Sequence, residues 1–166
     1  VCPRRSQRTL LHSGPSDARS PVPNVRQLIS DSSQIQKRSR KLNAEIYQSP
    51  FLKIEPRLFE NEVGFVIFDG FPVSKGHCLV IPHRVYSDYF ESTVEEFSGL
   101  TDLLSTAQKF LEDRYSPSGF NVGINCGADS GQTVLHVHIH LIPRYLGDVS
   151  DPRGGVRGVI PSRQKY

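Results

Sequence analysis

The sequence predicts an α+β domain in which an antiparallel β-sheet carries one long helix packed across it. The prediction depends on two pairs of β-rich runs and on one amphipathic segment between the pairs. The runs at 64–69 and 77–82 flank a turn that contains Gly and Pro, and the runs at 120–125 and 133–143 flank a Gly-rich loop. Each pair is expected to form a hairpin, and the order hairpin, helix, hairpin favours an antiparallel sheet.

The amphipathic segment has the signals of a helix start, a buried stripe and a stop. Ser92 or Thr93 supplies the N-cap, and Glu95 or Glu96 follows three residues later, as in a capping box. The helix is expected to run through about Tyr115, where a Ser-Pro-Ser-Gly sequence ends it. Its apolar stripe recurs at helical spacing and comprises Phe97, Leu100, Leu104, Ala107 and Leu111.

The charge of the chain is divided unevenly. The 166 residues carry a formal net charge of +3. Residues 1–44 hold nine basic and two acidic side chains, a net +7, whereas residues 45–166 hold 11 basic and 15 acidic side chains, a net −4. The basic extension is rich in Ser, Pro and Arg and is expected to be disordered, or weakly helical over 24–48. The folded domain is expected over 45–166, with an irregular tail from about 147, and its charge argues against nucleic acid as a partner.

Composition also restricts the location of the protein. No apolar run approaches the roughly 18 residues of a membrane span, so no membrane partner is expected. Cys2, Cys78 and Cys126 are odd in number and far apart, which argues against a disulfide framework and a Cys-x-x-Cys zinc site. Reduced thiols indicate a cytoplasmic protein. The composition of the extension leaves open both organellar targeting and a salt-dependent tether to nucleic acid.

Three of the six histidines lie in the seven residues 135–141. Side chains of a strand alternate between its two faces, so the three imidazoles are expected on one face. The opposite face would then be apolar and buried. The imidazole face comprises His136, His138 and His140, and the apolar face comprises Leu135, Val137, Ile139 and Leu141.

Three explanations of the imidazole face compete. A single metal ion does not suit it, because His136 and His140 would be roughly 13 Å apart along a strand and a zinc ligand must come within about 2.1 Å of the ion. Histidines that are merely hydrogen-bonded in the core are a second explanation. The third is nucleophilic catalysis at phosphorus, since neutral imidazole is a nucleophile near pH 7 and its neighbours can carry protons. The Gly-rich loop before the cluster could turn backbone N–H groups toward an anion.

These residues resemble the histidine triad (HIT) superfamily, whose signature is His-φ-His-φ-His-φ-φ with φ apolar. The segment 136–142 satisfies every position of this signature. The segment 76–82 (GHCLVIP) resembles the upstream part of the family, which contains an additional histidine. The segment 131–144 is similar to one branch of the family, that of the fragile histidine triad protein and bacterial diadenosine-tetraphosphate hydrolase homologues. The resemblance covers about 49–166. It implies a HIT-like fold with about five antiparallel strands and a helix.

The resemblance also implies a role for each histidine. His138, the middle member, would be the nucleophile that attacks the α-phosphate and forms a nucleotidyl-imidazole intermediate. His140 would contact the phosphate and assist the leaving group. His136 would orient the nucleophile, and His77 would complete the imidazole network.

The resemblance further implies a set of substrate-binding residues. Gln132 and Thr133 fall where the family contacts the phosphate or bridging oxygen, Asn125 lies beside the phosphate, and Asp69 falls at the position that binds the ribose hydroxyls. An apolar purine pocket would be formed by Phe51, Ile54, Ile67 and Phe68. For these four residues an ordinary place in the core is an equally good interpretation.

The implied function is a nucleotide hydrolase that splits dinucleoside polyphosphates, of the diadenosine tetraphosphate or triphosphate type, or related AMP derivatives. His140 favours transfer to water, because the nucleotidyltransferase branch has Gln there. A nucleoside phosphoramidase and a non-catalytic purine-nucleotide sensor or adaptor remain alternatives. The resemblance implies a homodimer, and no cofactor is required, although a divalent cation bound with the polyphosphate stays open. Arg153, Arg157 and Arg163 either reach the polyphosphate or belong to a solvated tail.

Overall fold

Five antiparallel strands and one long helix make up the regular structure of the computed structural model, which describes residues 48–166. The strands follow the spatial order β1-β2-β3-β5-β4, and every neighbouring pair is antiparallel. The α+β architecture and both hairpins that the sequence predicts are therefore confirmed. The strands are β1 (Phe59–Glu60), β2 (Gly64–Phe68), β3 (Cys78–Pro82), β4 (Gly119–Ile124) and β5 (Ile139–Arg144).

The helix α1 (Val94–Tyr115) begins and ends where its local sequence predicts. Thr93 is the N-cap, and its side chain and that of Glu96 form both bonds of a capping box. The helix ends at Ser116, whose left-handed backbone (φ 49°) reverses the direction of the chain. Glu96 also binds the guanidinium of Arg84 through two hydrogen bonds of 2.8 and 2.7 Å, so the helix start is tied to the segment after β3.

The strand that carries the histidine cluster is shorter than the sequence predicts. It begins at Ile139 and not at Thr133, so only the last histidine lies within it. Upstream of the strand, the Val137 N–H donates to the Tyr86 carbonyl at 2.8 Å. The chain there follows the segment after β3 instead of continuing the β3–β5 ladder. The prediction that Leu135 is buried is wrong, because its side chain is 42% exposed.

Both faces of the sheet carry buried apolar side chains, each worth about 1.5–3 kcal/mol when fully buried. His140 pairs directly with Leu79 in the ladder, so it belongs to the face turned away from α1. The face under the helix packs Val66, Cys78, Val80, Ile139 and Leu141 against Leu100, Leu103, Ala107 and Leu111. The opposite face packs Phe51, Phe65, Ile67, Leu79 and Ile81.

The remaining segments are short turns and loops. The 3-10 helix Pro50–Lys53 carries Phe51 onto the second face of the sheet. The segment 147–166, predicted as irregular, contains the 3-10 helices Gly155–Val159 and Pro161–Arg163. Within the described residues, no helix is long and apolar enough to cross a membrane. The basic extension 1–44 and nearly all of the helix pattern at 24–48 lie outside the described residues.

Candidate active site

His136 is fully buried, and both of its ring nitrogens are hydrogen-bonded. Its Nε2 lies 2.9 Å from the Pro82 carbonyl, which can only accept, so Nε2 carries the proton. Its Nδ1 lies 2.6 Å from the Ser49 hydroxyl and therefore accepts from it. Burial is the main cause that lowers the pKa of His136 to about 4. His136 is thus a neutral ring held rigidly in place.

His138 presents one nitrogen to the backbone and the other to the site. Its Nδ1 lies 2.8 Å from the carbonyl of His136. A carbonyl accepts only, so the proton of neutral His138 lies on Nδ1, and Nε2 keeps its lone pair. Among the described residues Nε2 has no hydrogen-bond partner. The Phe51 ring packs edge-on against the imidazole with a centroid separation of 5.1 Å.

His140 and His77 form a second imidazole pair beside His138. Nε2 of His77 lies 3.0 Å from Nδ1 of His140. The Val73 N–H donates to Nδ1 of His77 at 3.3 Å, so neutral His77 carries its proton on Nε2 and donates it to His140. His140 then has its own proton on Nε2, which is free to face a substrate. The His138 and His140 ring centroids are 5.1 Å apart.

Electrostatics keep this second pair uncharged near neutral pH. Burial, reinforced by His138 and His77, lowers the pKa of His140 to about 4. Burial also lowers the pKa of His77, and the nearby charge of Asp69 opposes that shift. The Asp69 carboxylate lies 3.4 Å from Nδ1 of His77 and 3.9 Å from Nδ1 of His140. The site therefore places an uncharged imidazole pair next to His138.

Asp69, His77 and His140 are also the described residues that could hold a metal ion. One donor atom from each lies within 4.8 Å of the others. The sequence-based argument against a metal considered only the spacing along the triad, and it did not foresee that the β2–β3 hairpin brings Asp69 and His77 to His140. The donor set of two imidazoles and one carboxylate suits zinc.

A cleft of about 350 Å³ opens beside His140. His77, His140 and Asn125 are among its lining residues. Asn125, predicted beside a phosphate, therefore lines the same cleft as two of the catalytic candidates. The lining also includes the C-terminal residues Gly155, Val156 and Val159, which sequence reasoning did not connect with the site.

The HIT domain family profile matches residues 54–147, more than half of the chain. The chain belongs to the HIT family. Its fold and its triad thus agree with the resemblance seen in the sequence.

Several relatives and solved structures are similar to this HIT protein. Bis(5'-nucleosyl)-tetraphosphatase [asymmetrical] of Schizosaccharomyces pombe is 41% identical over 80 residues, 48% of this chain and 44% of that protein. Bis(5'-adenosyl)-triphosphatase of Dictyostelium discoideum is 38% identical over 102 residues, 59% of this chain and 66% of that protein. A HIT family protein of Bacillus anthracis, whose crystal structure is known, is 34% identical with a TM-score of 0.57, over 60% of this chain and 74% of that one.

The chain spans less than two thirds of the curated relatives with which it aligns. An uncharacterised 16.1 kDa HIT-like protein of Mycoplasma pneumoniae is 38% identical over 86 residues, which is 52% of this chain and 60% of that protein. The alignments therefore concern the HIT domain and not the whole length of the relatives.

The loop before the triad is held in place by the side chain of Gln132. Gln132 is buried, and its side-chain amide joins two segments: Oε1 accepts from the Gly127 N–H at 2.8 Å, and Nε2 donates to the Ser87 carbonyl at 2.7 Å. Gln132 thus holds the Gly-rich loop in place, and its amide is already engaged. Thr133 is exposed. Whether either residue contacts a phosphate stays a prediction.

The four residues assigned to the purine pocket separate into two groups. Phe51 and Ile67 are buried at 8% and 2% exposure in the same apolar cluster, as the core interpretation predicts. Ile54 and Phe68 are 38% and 41% exposed. Phe51 touches the triad through the rings of His136 and His138.

The tail arginines bind the tail itself. Arg153 pairs with Asp151 at 2.9 Å, and Arg157 donates to the carbonyls of Gln164 and Arg163 at 3.2 and 2.9 Å. These contacts favour the interpretation of a self-contained tail over guanidinium groups that reach a polyphosphate.

Ser49 is the site residue that sequence reasoning missed. It is 1% exposed and lies 87 residues away from His136, to which it donates. No spacing pattern could have indicated this contact. The available signal is a Ser-Pro pair before Phe51, which is typical of a short helix start and indicates nothing about a histidine.

Proposed function

We propose that this HIT protein hydrolyses dinucleoside polyphosphates, of the diadenosine tetraphosphate or triphosphate type, and releases a nucleoside monophosphate through a covalent nucleotidyl-His138 intermediate. One observation carries the proposal. The His136 carbonyl holds the proton of His138 on Nδ1, which leaves the Nε2 lone pair available beside the proton donor His140. A nucleophile and a hydrogen-bond donor to the leaving oxygen are the two groups that this covalent displacement uses.

The first step forms one bond and breaks one. The Nε2 lone pair of His138 attacks the α-phosphorus, and the bridging P–O bond breaks with its electron pair leaving on oxygen. The Nε2–H of His140 donates a hydrogen bond to that oxygen and stabilises its developing charge, so the leaving nucleotide departs as an anion. The positive charge that develops on the His138 ring is stabilised by its Nδ1–H bond to the His136 carbonyl.

The second step releases the nucleotide from His138. Water attacks the phosphorus and loses a proton to solvent, and the P–N bond breaks with its electron pair returning to His138. The products are AMP and the released nucleotide, His138 is again a free imidazole, and His140 keeps its proton throughout. A buried, neutral His136 keeps the attacking ring in one orientation through both steps.

The named relatives support the class of bond. Proteins called bis(5'-nucleosyl)-tetraphosphatase and bis(5'-adenosyl)-triphosphatase align with the triad domain at 41% and 38% identity. Both names describe cleavage of a phosphoanhydride bond in a dinucleoside polyphosphate. The Asp69, Asn125 and Phe51 side chains supply ribose, phosphate and base contacts in this proposal.

The test is a substrate panel with acid-quenched mass spectrometry. Wild-type protein incubated with diadenosine tetraphosphate, diadenosine triphosphate and adenosine phosphoramidate is expected to release AMP from the first two, with an AMP adduct on His138. His138→Ala should lose the adduct and at least about 10³-fold in kcat. His83→Gln, a histidine change outside the triad, should keep both.

Other outcomes overturn the proposal in distinct ways. AMP release from adenosine phosphoramidate alone would make the protein a phosphoramidase. Tight AMP binding without turnover of any substrate would make it a nucleotide sensor. An adduct on another residue would remove His138 as the nucleophile.

We also propose that the protein is a homodimer joined at β4. This strand lies at one end of the sheet, and no strand of the described residues covers its outer edge. An uncovered strand edge is a template for pairing, and a second copy can satisfy it by two-fold symmetry. Light scattering should give a dimer mass that Val122→Lys lowers, while Val94→Lys on α1 leaves it unchanged. A monomer mass for wild-type protein at every concentration would contradict the proposal.

A further inference from the structure

The cleft beside His140 is lined by one member of the catalytic pair and not by the other. His77 and His140 line it, whereas His138 does not. His138 instead packs edge-on against Phe51, which does not line the cleft either. His140 is thus the member of the pair that borders the cleft, and its Nε2–H donates to the leaving oxygen in the proposed reaction.

This arrangement determines which half of a substrate the cleft receives. Attacking and leaving atoms in phosphoryl transfer are roughly in line through phosphorus. Since His138 attacks from one side and the Nε2–H of His140 donates to the leaving oxygen, the leaving group extends past His140. The cleft is the space that continues from that imidazole.

The lining of the cleft suits an uncharged nucleobase rather than a charged group such as a phosphate. None of its described lining residues is Asp, Glu, Lys or Arg. Val73, Val156 and Val159 line it and are 72%, 56% and 75% exposed, so their apolar surface is available to a ligand. The volume of 350 Å³ is at the lower end of the roughly 300–1,000 Å³ of ligand pockets, enough for part of a dinucleotide.

The C-terminal wall of the cleft is held in shape by its own contacts. Arg157 donates to the carbonyls of Arg163 and Gln164, and Gln164 donates back to the Arg153 carbonyl at 3.3 Å. Gly154 has a positive φ of 83°, and a Cβ there would collide with the Gln164 carbonyl. Because these hydrogen bonds already hold the segment, Val156 and Val159 lose little conformational entropy when a ligand binds.

We propose that the C-terminal segment 155–159, together with Val73, forms a subsite for the nucleoside of the leaving group. The subsite rests on the proposed hydrolase function and extends it: the tail selects substrates that carry a second nucleoside over nucleotides that end in a bare polyphosphate. Val156 and Val159 are specificity-determining residues in this proposal, and Arg157 is a positioning residue.

The test compares two substrates that differ only in the second nucleoside, diadenosine tetraphosphate and adenosine 5'-tetraphosphate. In the double variant Val156→Ser/Val159→Ser, kcat/KM for the dinucleotide should fall about tenfold, and kcat/KM for adenosine tetraphosphate should change less than about twofold. Arg157→Ala, which releases the loop, should show the same selective loss. Val94→Ser on α1 is the matched control and should change neither value.

A binding measurement separates this proposal from the hydrolase proposal. Calorimetry on His138→Ala protein, with and without the two Val→Ser changes, needs no turnover and should show that the changes weaken dinucleotide binding selectively. If AMP is released but the substrate ratio is unchanged in the variants, the subsite is wrong and the hydrolase stands. If no substrate is cleaved but the dinucleotide loses affinity selectively, the subsite stands and the hydrolase is wrong. Equal affinity in all variants overturns the subsite.

Discussion

His136 and His138 owe their tautomers to hydrogen-bond partners that cannot donate. The Pro82 carbonyl takes the Nε2 proton of His136, and the His136 carbonyl takes the Nδ1 proton of His138. Each bond fixes one tautomer and leaves the other ring nitrogen unprotonated. The unprotonated Nδ1 of His136 accepts from Ser49, and the unprotonated Nε2 of His138 has no hydrogen-bond partner among the described residues.

Ser49→Ala removes the hydroxyl that completes this chain of bonds. The variant leaves the buried Nδ1 of His136 unpaired, so we expect a loss of about 1–3 kcal/mol in the free energy of unfolding. We also expect kcat to fall and KM to stay close to wild type, because His136 then orients His138 less well. Urea unfolding and steady-state kinetics measure the two effects. Ser49→Thr should restore part of kcat, and a wild-type kcat in Ser49→Ala would show that the contact plays no part in positioning.

Acid should destabilise the protein through its buried imidazoles. The pKa of His136 and that of His140 are about 4 in the folded state against 6.5 as the ordinary value. Below pH 6.5 the unfolded chain binds protons that the folded state refuses, so stability falls between pH 6.5 and about 4 and is unaffected by these groups above that range. Urea unfolding at pH 7.5, 6 and 5 should show the decrease, and His140→Gln should make it smaller. An equal decrease in the variant would assign the effect to other groups.

Helix α1 is the element whose local sequence determines its bounds most completely. Thr93 and Glu96 form the capping box, and Ser116 adopts the left-handed conformation that ends the helix. All of these signals lie within four residues of the ends that they specify. Tertiary contacts then add to a start that is already determined locally, since Arg84 binds Glu96.

Thr93→Ala should therefore cost about 1 kcal/mol of the free energy of unfolding, because the N–H groups of the first turn lose their acceptor. Thr93→Ser should lose much less, since its hydroxyl can accept the same bond. Thr101→Ala on the exposed surface of the same helix is the control and should be neutral or stabilising. Urea unfolding of the three variants checks the prediction, and an equal loss in the control would mean that helix surface changes in general are destabilising.

Elements made by distant contacts could be predicted only in outline. β1 has two residues, too few for a pattern, and exists because Phe59 and Glu60 pair with β2. β5 starts at Ile139 because the Val137 N–H finds the Tyr86 carbonyl 51 residues earlier in the sequence. Periodicity in the segment 133–143 carries no information about that partner. The resemblance to the HIT family, and not the pattern, implied about five strands.

The candidate site likewise contains features that the local sequence predicted and contacts between distant segments that it could not predict. The alternation of the histidines correctly predicted a buried Val137, Ile139 and Leu141 beside them. The engagement of Gln132 with Ser87, 45 residues away, and of His136 with Ser49 could not be read from spacing, because each depends on how two segments meet in space. Residue types predicted the chemistry, and only the fold shows which atoms face each other.

Across the described part of the chain, the cleft beside His140 is lined without any charged residue. The described residues that line the cleft include no Lys or Arg, and residues 45–166 carry a net charge of −4. A polyanionic substrate is therefore expected to be bound by neutral imidazoles, amides and apolar contacts rather than by a basic surface.

The dependence of KM on salt should follow from the uncharged lining of the cleft and the acidic net charge of residues 45–166. Raising NaCl from about 50 to about 300 mM screens the repulsion between an acidic domain and a polyanionic substrate, so KM for diadenosine tetraphosphate should stay constant or decrease. Steady-state kinetics at several salt concentrations measure it. A KM that rises tenfold over this range would show that arginine or lysine side chains, such as those of residues 1–44, attract the substrate.

The carbonyl acceptors of Pro82 and His136 have a consequence for the history and the redesign of this protein. Because both belong to the main chain, no side-chain replacement can delete them, so the tautomer of His138 does not depend on a neighbouring side chain. Insertions and deletions are different, since one residue added between Pro82 and His138 would move an acceptor out of register. Substitutions around the site can therefore change what the protein binds while His138 keeps its tautomer. Insertions or deletions between Pro82 and His138 are expected to abolish activity.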